Sequence, residues 1–223
     1  MIIHNPKYKY EKLVRIEGPS RLYATPDGSK VPSVTTILSA TADKTALNEW
    51  KKRVGEAEAQ RISTESAGLG TLVHKHIENF IEGIERPGGN NDVRILAKEM
   101  ADQVIEQGLP DVTEVWGMEA SLYYPGLYAG TTDLVGLYKG IPAIMDHKTA
   151  KVIKKPEWMQ DYFIQTTAYA LAHNEVHGTD IKMGALFMVD RTKQYKTFVI
   201  EGAEFEHYSD LWLRRVEQYY KLN

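Results

Sequence analysis

The spacing of hydrophobic and polar residues changes along the chain, and each change marks a different kind of element. The first thirty residues hold short apolar runs broken by Gly18-Pro19 and Pro26-Asp27-Gly28, which predicts short strands and turns. Residues 31–38 read as an extended stretch leading into a helix capped by Ser33. A second helix is expected over 44–60, with Leu47, Trp50 and Val54 facing inward. The small residues of 66–70 predict a loop, followed by a helix over 71–85 whose buried stripe is Val73, Ile77, Phe80, Ile81 and Ile84. Arg86-Pro87-Gly88-Gly89 ends it, and 92–107 is expected to be helical again.

From residue 116 the period drops to two: Trp116, Met118, Ala120 and Leu122 alternate with Glu119 and Ser121. Two further alternating stretches, 131–138 and 141–149, flank Lys139-Gly140, a two-residue hairpin turn. A helix follows over 157–173 with Phe163, Thr166, Tyr169 and Ala170 inward, then strands over 183–189 and 196–200. The last helix, 204–222, buries Phe205, Tyr208, Leu211, Trp212 and Val216. This order predicts an α+β fold, a three-stranded antiparallel meander followed by a helix and further strands, with added N-terminal helices.

The hairpin carries the chemistry. Pairing Tyr138 with Ile141 and counting outward sets Asp133 opposite Asp146, with Lys148 on the same face. Asp146 follows the apolar run 141–145, which marks a central strand where an unpaired carboxylate is costly. Two facing carboxylates repel unless a cation lies between them, and Mg²⁺ or Mn²⁺ suits that role. The side chain of His147 faces the other way, but its main-chain oxygen is well placed as a further ligand. A three-residue loop at 125–127 would also set Glu119 opposite Asp133, a register that a bulge would shift. His74 and Glu78 lie one turn apart at the edge of their helix stripe, and Gln165 and Tyr169 one turn apart on theirs. Lys148, Lys151, Lys154 and Lys155 form a basic strip, read alone as either a solvated loop or a phosphate track.

Composition narrows the options. The 223 residues, 43% hydrophobic and 26% charged, suit one large globular domain. A net charge of −3 argues against a protein that merely coats nucleic acid, though not against a local basic strip. Cysteine is absent, which excludes disulfides, thiolate zinc sites, an iron–sulfur cluster and a thiol nucleophile. There is no ATP-binding P-loop and no apolar run of membrane-spanning length. The opening residues lack secretory or transit character, so the expected location is cytoplasmic.

Gly70-Thr71-x-x-His74, Glu119, Gly130-x-x-Asp133, Asp146-x-Lys148 and Gln165-x-x-x-Tyr169 occur in the order seen in PD-(D/E)XK nucleases of the RecB-like exonuclease branch. The chain is similar above all to the mitochondrial genome maintenance exonuclease and its phage relatives. These share the leading 32–38 segment and Asn48-Glu49-Trp50-Lys51. The resemblance covers about residues 30–220. It implies a restriction-endonuclease-like core in a single domain over 1–223, with 1–65 as an extension shaping the DNA path. It further implies His74, Asp133, Asp146 and the main-chain oxygen of His147 as metal ligands. Lys148 would be the catalytic lysine, Gln165 and Tyr169 its support, and Glu119 a further acidic member. Lys151, Lys154, Lys155, Trp50 and Ser33 are the expected DNA contacts.

The expected function is a Mg²⁺- or Mn²⁺-dependent exonuclease on single-stranded DNA in phage-type replication, recombination or repair. A recombination or single-strand-binding protein is an expected partner, and a bacterial host cytoplasm the expected setting. The alternatives are an endonuclease of the same fold and a non-catalytic DNA-binding accessory domain.

Overall fold

The computed structural model describes residues 2–16, 18 and 22–222. Its strands and helices, in order, are β1 (Ile3–His4), β2 (Val14–Ile16), β3 (Leu22–Ala24), β4 (Lys30–Pro32), α1 (Val34–Thr41), α2 (Thr45–Val54), α3 (Glu56–Ile81) and α4 (Asp92–Gln107). Then come β5 (Val112–Tyr124), β6 (Tyr128–Tyr138), β7 (Ile141–Ala150), α5 (Gln160–His177), β8 (Met183–Asp190), β9 (Tyr195–Glu201) and α6 (Gly202–Leu222). The main sheet runs β1-β5-β6-β7-β8-β9, and β2-β3-β4 form a second, small sheet. β5, β6 and β7 make the expected antiparallel meander, and α5 then crosses over to set β8 parallel to β7. This is the expected α+β architecture.

Helices cover both faces of the main sheet. Val135, Ile144, Leu186 and Met188 pack with residues of α1, α5 and α6, whereas Leu134, Met145, Phe187 and Val189 pack with α3 and α4. Every residue of β8 is buried, as a strand covered on both faces requires. Lys139 (φ 51°) and Gly140 (φ 79°) are both left-handed, the geometry of a twist-matched two-residue turn. Tyr138 therefore pairs with Ile141, and the ladder continues to Leu134 opposite Met145. In β5 the pairs Ala120–Thr132 and Met118–Leu134 bracket Glu119 and Asp133, and the register shifts fall nearer the start of the strand.

Several expectations fail along the N-terminal half. The helix expected over 44–60 breaks at Gly55, whose φ of 87° no helix accommodates. The loop expected over 66–70 lies inside α3, because packing of Leu69, Val73 and Ile77 outweighs the roughly 1 kcal/mol cost of each glycine. α3 stops at Ile81, which leaves Ile84 beyond it, and both Ile84 and Phe80 of its last turn, expected in its stripe, are exposed. α2 rests on α3 and has no fully buried residue; Leu47 is exposed, while Trp50 and Val54 are half-buried. Of the turn expected at Gly18-Pro19, Pro19 lies outside the described residues. Tyr208 and Leu211 of α6 are half-buried beside the buried Phe205, Trp212 and Val216. Among the described residues no helix is long and apolar enough to cross a membrane.

One of the ties between the N-terminal segment and the core is a histidine. His173 of α5 is fully buried, 3.0 Å from the Tyr10 hydroxyl at Nε2 and 2.8 Å from Thr179 Oγ1 at Nδ1. Thr179 donates its own proton to Asn174 Oδ1, so it accepts from Nδ1–H, and Nε2 accepts from Tyr10. Burial, with His177 alongside, pushes the imidazole down to about 3. The neutral ring is the folded form, so the unfolded chain binds the extra proton below about pH 6.5. Stability is therefore expected to fall as pH drops from 6.5 towards 3. Urea midpoints measured over that range should slope less in His173→Gln than in the wild type; parallel curves would contradict the role.

Candidate active site

The site forms where β6 and β7 part. The ladder ends at Leu134–Met145, one pair short of the two aspartates, and Asp133 Oδ2 instead accepts the His147 N–H at 2.7 Å. The register thus carries both carboxylates to the fork, while the strands separate to make room for them. Both are largely buried, with side-chain exposures of 15% and 5%. Each carboxylate has a different cationic neighbour. Asp133 Oδ1 is 3.5 Å from His74 Nδ1, and Asp146 Oδ2 is 2.5 Å from Lys148 Nζ. Burial would raise Asp133, but His74 outweighs it and holds the carboxyl below its usual range. Asp146 is pushed the other way, by burial and then by the charge of Asp133, with Lys148 opposing.

His74 reaches the fork from α3 and joins its two sides. Its Nε2 lies 3.0 Å from the main-chain oxygen of His147. Burial lowers its basicity, yet the bond and charge of Asp133, with Asp146 behind, hold it up at about 9. The His147 ring stacks on Phe187 and meets the His74 ring edge-on, and burial pushes it down to about 4, so it stays neutral.

Glu119 joins this cluster by a backbone reversal. Its φ of 45° is left-handed, a conformation costing roughly 1–3 kcal/mol for a non-glycine residue. Alternation breaks there: Met118 packs towards α3 and α4, whereas Ala120 and Leu122 lie in the core under α5. Partial burial, then Asp133 and Glu78, push the Glu119 carboxyl up to about 7. A cleft of about 550 Å³ opens beside it, lined by Tyr10, Lys12, Tyr23 and Thr131 among others.

Lys148 is supported from α5. It donates to Gln165 Oε1 at 3.1 Å, and Gln165 Nε2 donates to Tyr169 Oη at 3.2 Å. Burial opposes its charge, but Asp146 and Asp133 raise its pKa above the ordinary lysine value. Gly130 makes this approach possible: a Cβ there would lie 2.8 Å from Tyr169 Cε1. The glycine admits a tyrosine ring from α5 within the protein.

Ligand atoms of His74, Glu119 and Asp133 lie within 4.8 Å of one another and could hold a metal ion. The expected set had Asp146 where this group has Glu119; Asp146 instead faces Lys148. That contact is a charge pairing without hydrogen-bond geometry, so Asp146 Oδ2 is a buried acceptor lacking a donor. Carboxylate oxygens, a main-chain oxygen and one imidazole are donors that fit Mg²⁺ or Mn²⁺.

The expected DNA contacts are dispersed. Lys151 and Lys155 are exposed on the segment after β7, and Lys154 donates to Tyr162 Oη at 2.7 Å. Trp50 lines a separate cleft between α2 and α3. Ser33 is buried, and its Oγ accepts from Thr36 N at 2.9 Å to cap α1, leaving no exposed hydroxyl for a strand. Sequence reasoning missed Trp158 and Tyr162 beside the lysines; an aromatic one and eight residues past Pro156-Glu157 and Lys154 was the available signal.

No protein-family profile matches the chain, and no curated protein sequence does. Solved structures do. A candidate exonuclease from Eubacterium rectale matches with a TM-score of 0.48 and 15% identity over 67% of this chain, which spans 64% of that protein's length. A phage-related exonuclease from Haemophilus somnus 129PT matches with a TM-score of 0.34 and 12% identity, covering 68% of this chain and 80% of the other. An alkaline exonuclease from Laribacter hongkongensis has a TM-score of 0.30 and 14% identity, covering 85% and 89%. At these values the reading of the site rests on its own geometry.

Two outcomes follow from that geometry. Mn²⁺ at a hundred times its Kd should stabilise the protein by about 2.7 kcal/mol, read as a rise in Tm. Asp133→Asn should lose that rise, and an equal shift in both proteins would remove Asp133 from the ligand set. Gly130→Ala should cost about 1–3 kcal/mol in urea unfolding by overpacking against Tyr169; a neutral effect would mean the ring moves freely.

Proposed function

We propose that this protein is a divalent-metal-dependent nuclease that hydrolyses phosphodiester bonds in DNA, acting on single strands from an end. The observation that carries the reading is the fork itself. A lysine kept charged at 2.5 Å from one buried aspartate stands beside a second aspartate within reach of a histidine and a glutamate. For stability alone such a cluster is unfavourable, since buried like charges repel and each lost partner strands a charge.

In this reading His74, Glu119, Asp133, Asp146 and the His147 main-chain oxygen hold Mg²⁺ or Mn²⁺. When bound, the ion supplies positive charge to the scissile phosphate and makes a nearby water more acidic. Lys148 orients that water and opposes the charge that builds on the phosphate oxygens. Gln165 fixes the ammonium through its Oε1, and Tyr169 fixes Gln165. The water oxygen bonds to phosphorus and releases a proton to solvent, the bond to the leaving sugar oxygen breaks, and that oxygen takes up a proton from solvent in exchange. Residues 1–65 would wall the DNA path within a single domain over 1–223. The phage-type replication, recombination or repair setting, and a recombination or single-strand-binding partner, rest on the family resemblance alone.

The test uses end-labelled and covalently closed circular single-stranded DNA with Mg²⁺. Linear strands should be degraded and circles spared. Asp146→Asn and Lys148→Met should each lower cleavage by roughly 10²–10³-fold with unchanged circular dichroism. Cut circles would make the protein an endonuclease, and full activity in Asp146→Asn would overturn the assignment.

A further inference from the structure

We infer that the segment between β7 and α5 is a stacking track that carries a single DNA strand from the surface to Lys148, with Trp158 as its outer platform. The inference rests on the nuclease reading and adds the strand's route and the residues that grip its bases.

Ammonium and aromatic groups meet along this segment and where it joins β7 and α5. Lys148 Nζ lies 4.9 Å from the centre of the Tyr162 ring, and Lys154 Nζ lies 4.3 Å from the same ring. Further out, Lys155 Nζ lies 5.6 Å from the Trp158 ring. These are cation–π distances, so each ring already holds a positive charge at its face. Exposure rises along the series. The Lys148 side chain is 17% exposed, Lys154 and Tyr162 are half-buried, and Trp158 is 64% exposed. Trp158 thus presents its ring to solvent at the outer end of the series, and Val152 on the same segment is 63% exposed.

The segment is also held in place. Ile153 N donates to the buried Asp190 Oδ2 at 3.0 Å, and Lys154 N to Met188 Sδ at 3.4 Å. Beyond them Pro156–Trp158 form one turn of 3₁₀ helix, followed at once by the fully buried Met159. Trp158 is therefore displayed on a short rigid turn anchored on both sides. A platform fixed in advance loses little side-chain freedom when a base stacks on it.

Charge selects the occupant. Lys151, Lys154 and Lys155 meet a polyanion, with Glu157 the one acid within 151–158. Flat rings between cations suit unpaired bases strung on phosphates, because every base offers a face and none need be read by its edge. A duplex hides those faces.

Fluorescence anisotropy in EDTA with labelled oligo(dT), a matching abasic oligomer and a blunt duplex tests this without cleavage. Trp158→Ala should weaken oligo(dT) binding by about 5- to 150-fold, the range of one base–aromatic stack. Trp158→Phe should keep most of the affinity, and abasic DNA should bind wild type and Trp158→Ala alike. Equal oligo(dT) affinity in the two proteins, an equal loss on abasic DNA, or duplex bound as tightly as oligo(dT) would each overturn the track. Mg²⁺-dependent cleavage of oligo(dT) by wild type separates the two ideas. If cleavage persists while Trp158→Ala binds normally, the track alone is wrong; if wild type neither cleaves nor binds, the nuclease reading falls with it.

Discussion

The arrangement depends on one electrostatic constraint: two buried carboxylates sit at the point where paired strands separate, each with a different cationic neighbour. Had the ladder continued one pair further, Asp133 and Asp146 would face each other across a closed sheet. Instead the backbone opens, Asp133 takes the His147 N–H, and the main-chain oxygen of His147 turns to His74. The strand gives up regular pairing at one residue, and in return two acidic groups of opposite tendency share a small space. One is held ionised by its neighbours and the other is driven towards protonation. Such divergence between adjacent acids is common at functional sites.

The supporting parts follow from that centre. Glu119 can join only because its backbone turns left-handed in mid-strand, which also redirects the packing on either side of it. Tyr169 can reach Gln165 only because position 130 has no side chain. Strain at the first and a missing methyl at the second serve the same end, bringing side chains from β5, β6, β7, α3 and α5 to one place.

Much of this was legible from residue order. Alternation at period two marked the meander, Lys139-Gly140 set the register of its second hairpin, and that register placed Asp133, Asp146 and Lys148 together, while Glu119 entered through the separate turn at 125–127. What failed was governed by tertiary contact rather than local preference. Gly68 and Gly70 look like a loop, yet they lie within α3 because the residues around them pack on the sheet. Gly55 looks unremarkable among helix formers, yet it ends α2. Ser33 was read both as a cap and as a DNA contact; it is the cap, and that role uses the hydroxyl the second would need. Spacing put Lys148 on the face of Asp146, but the 2.5 Å separation of the two groups depends on side-chain geometry that spacing does not encode.

The tight turn at Lys139-Gly140 also bears on how the site assembles. It brings Asp133 to His147 across only 14 positions of chain, and Lys148 meets Gln165 across 17, whereas His74 must close a loop of 73 to reach His147. Closure entropy grows with the logarithm of loop length, so the last contact costs roughly 1.5 kcal/mol more than the first. Chain entropy alone thus favours the acidic hairpin and its lysine as the local unit, with the histidine carrying the largest closure cost of the three.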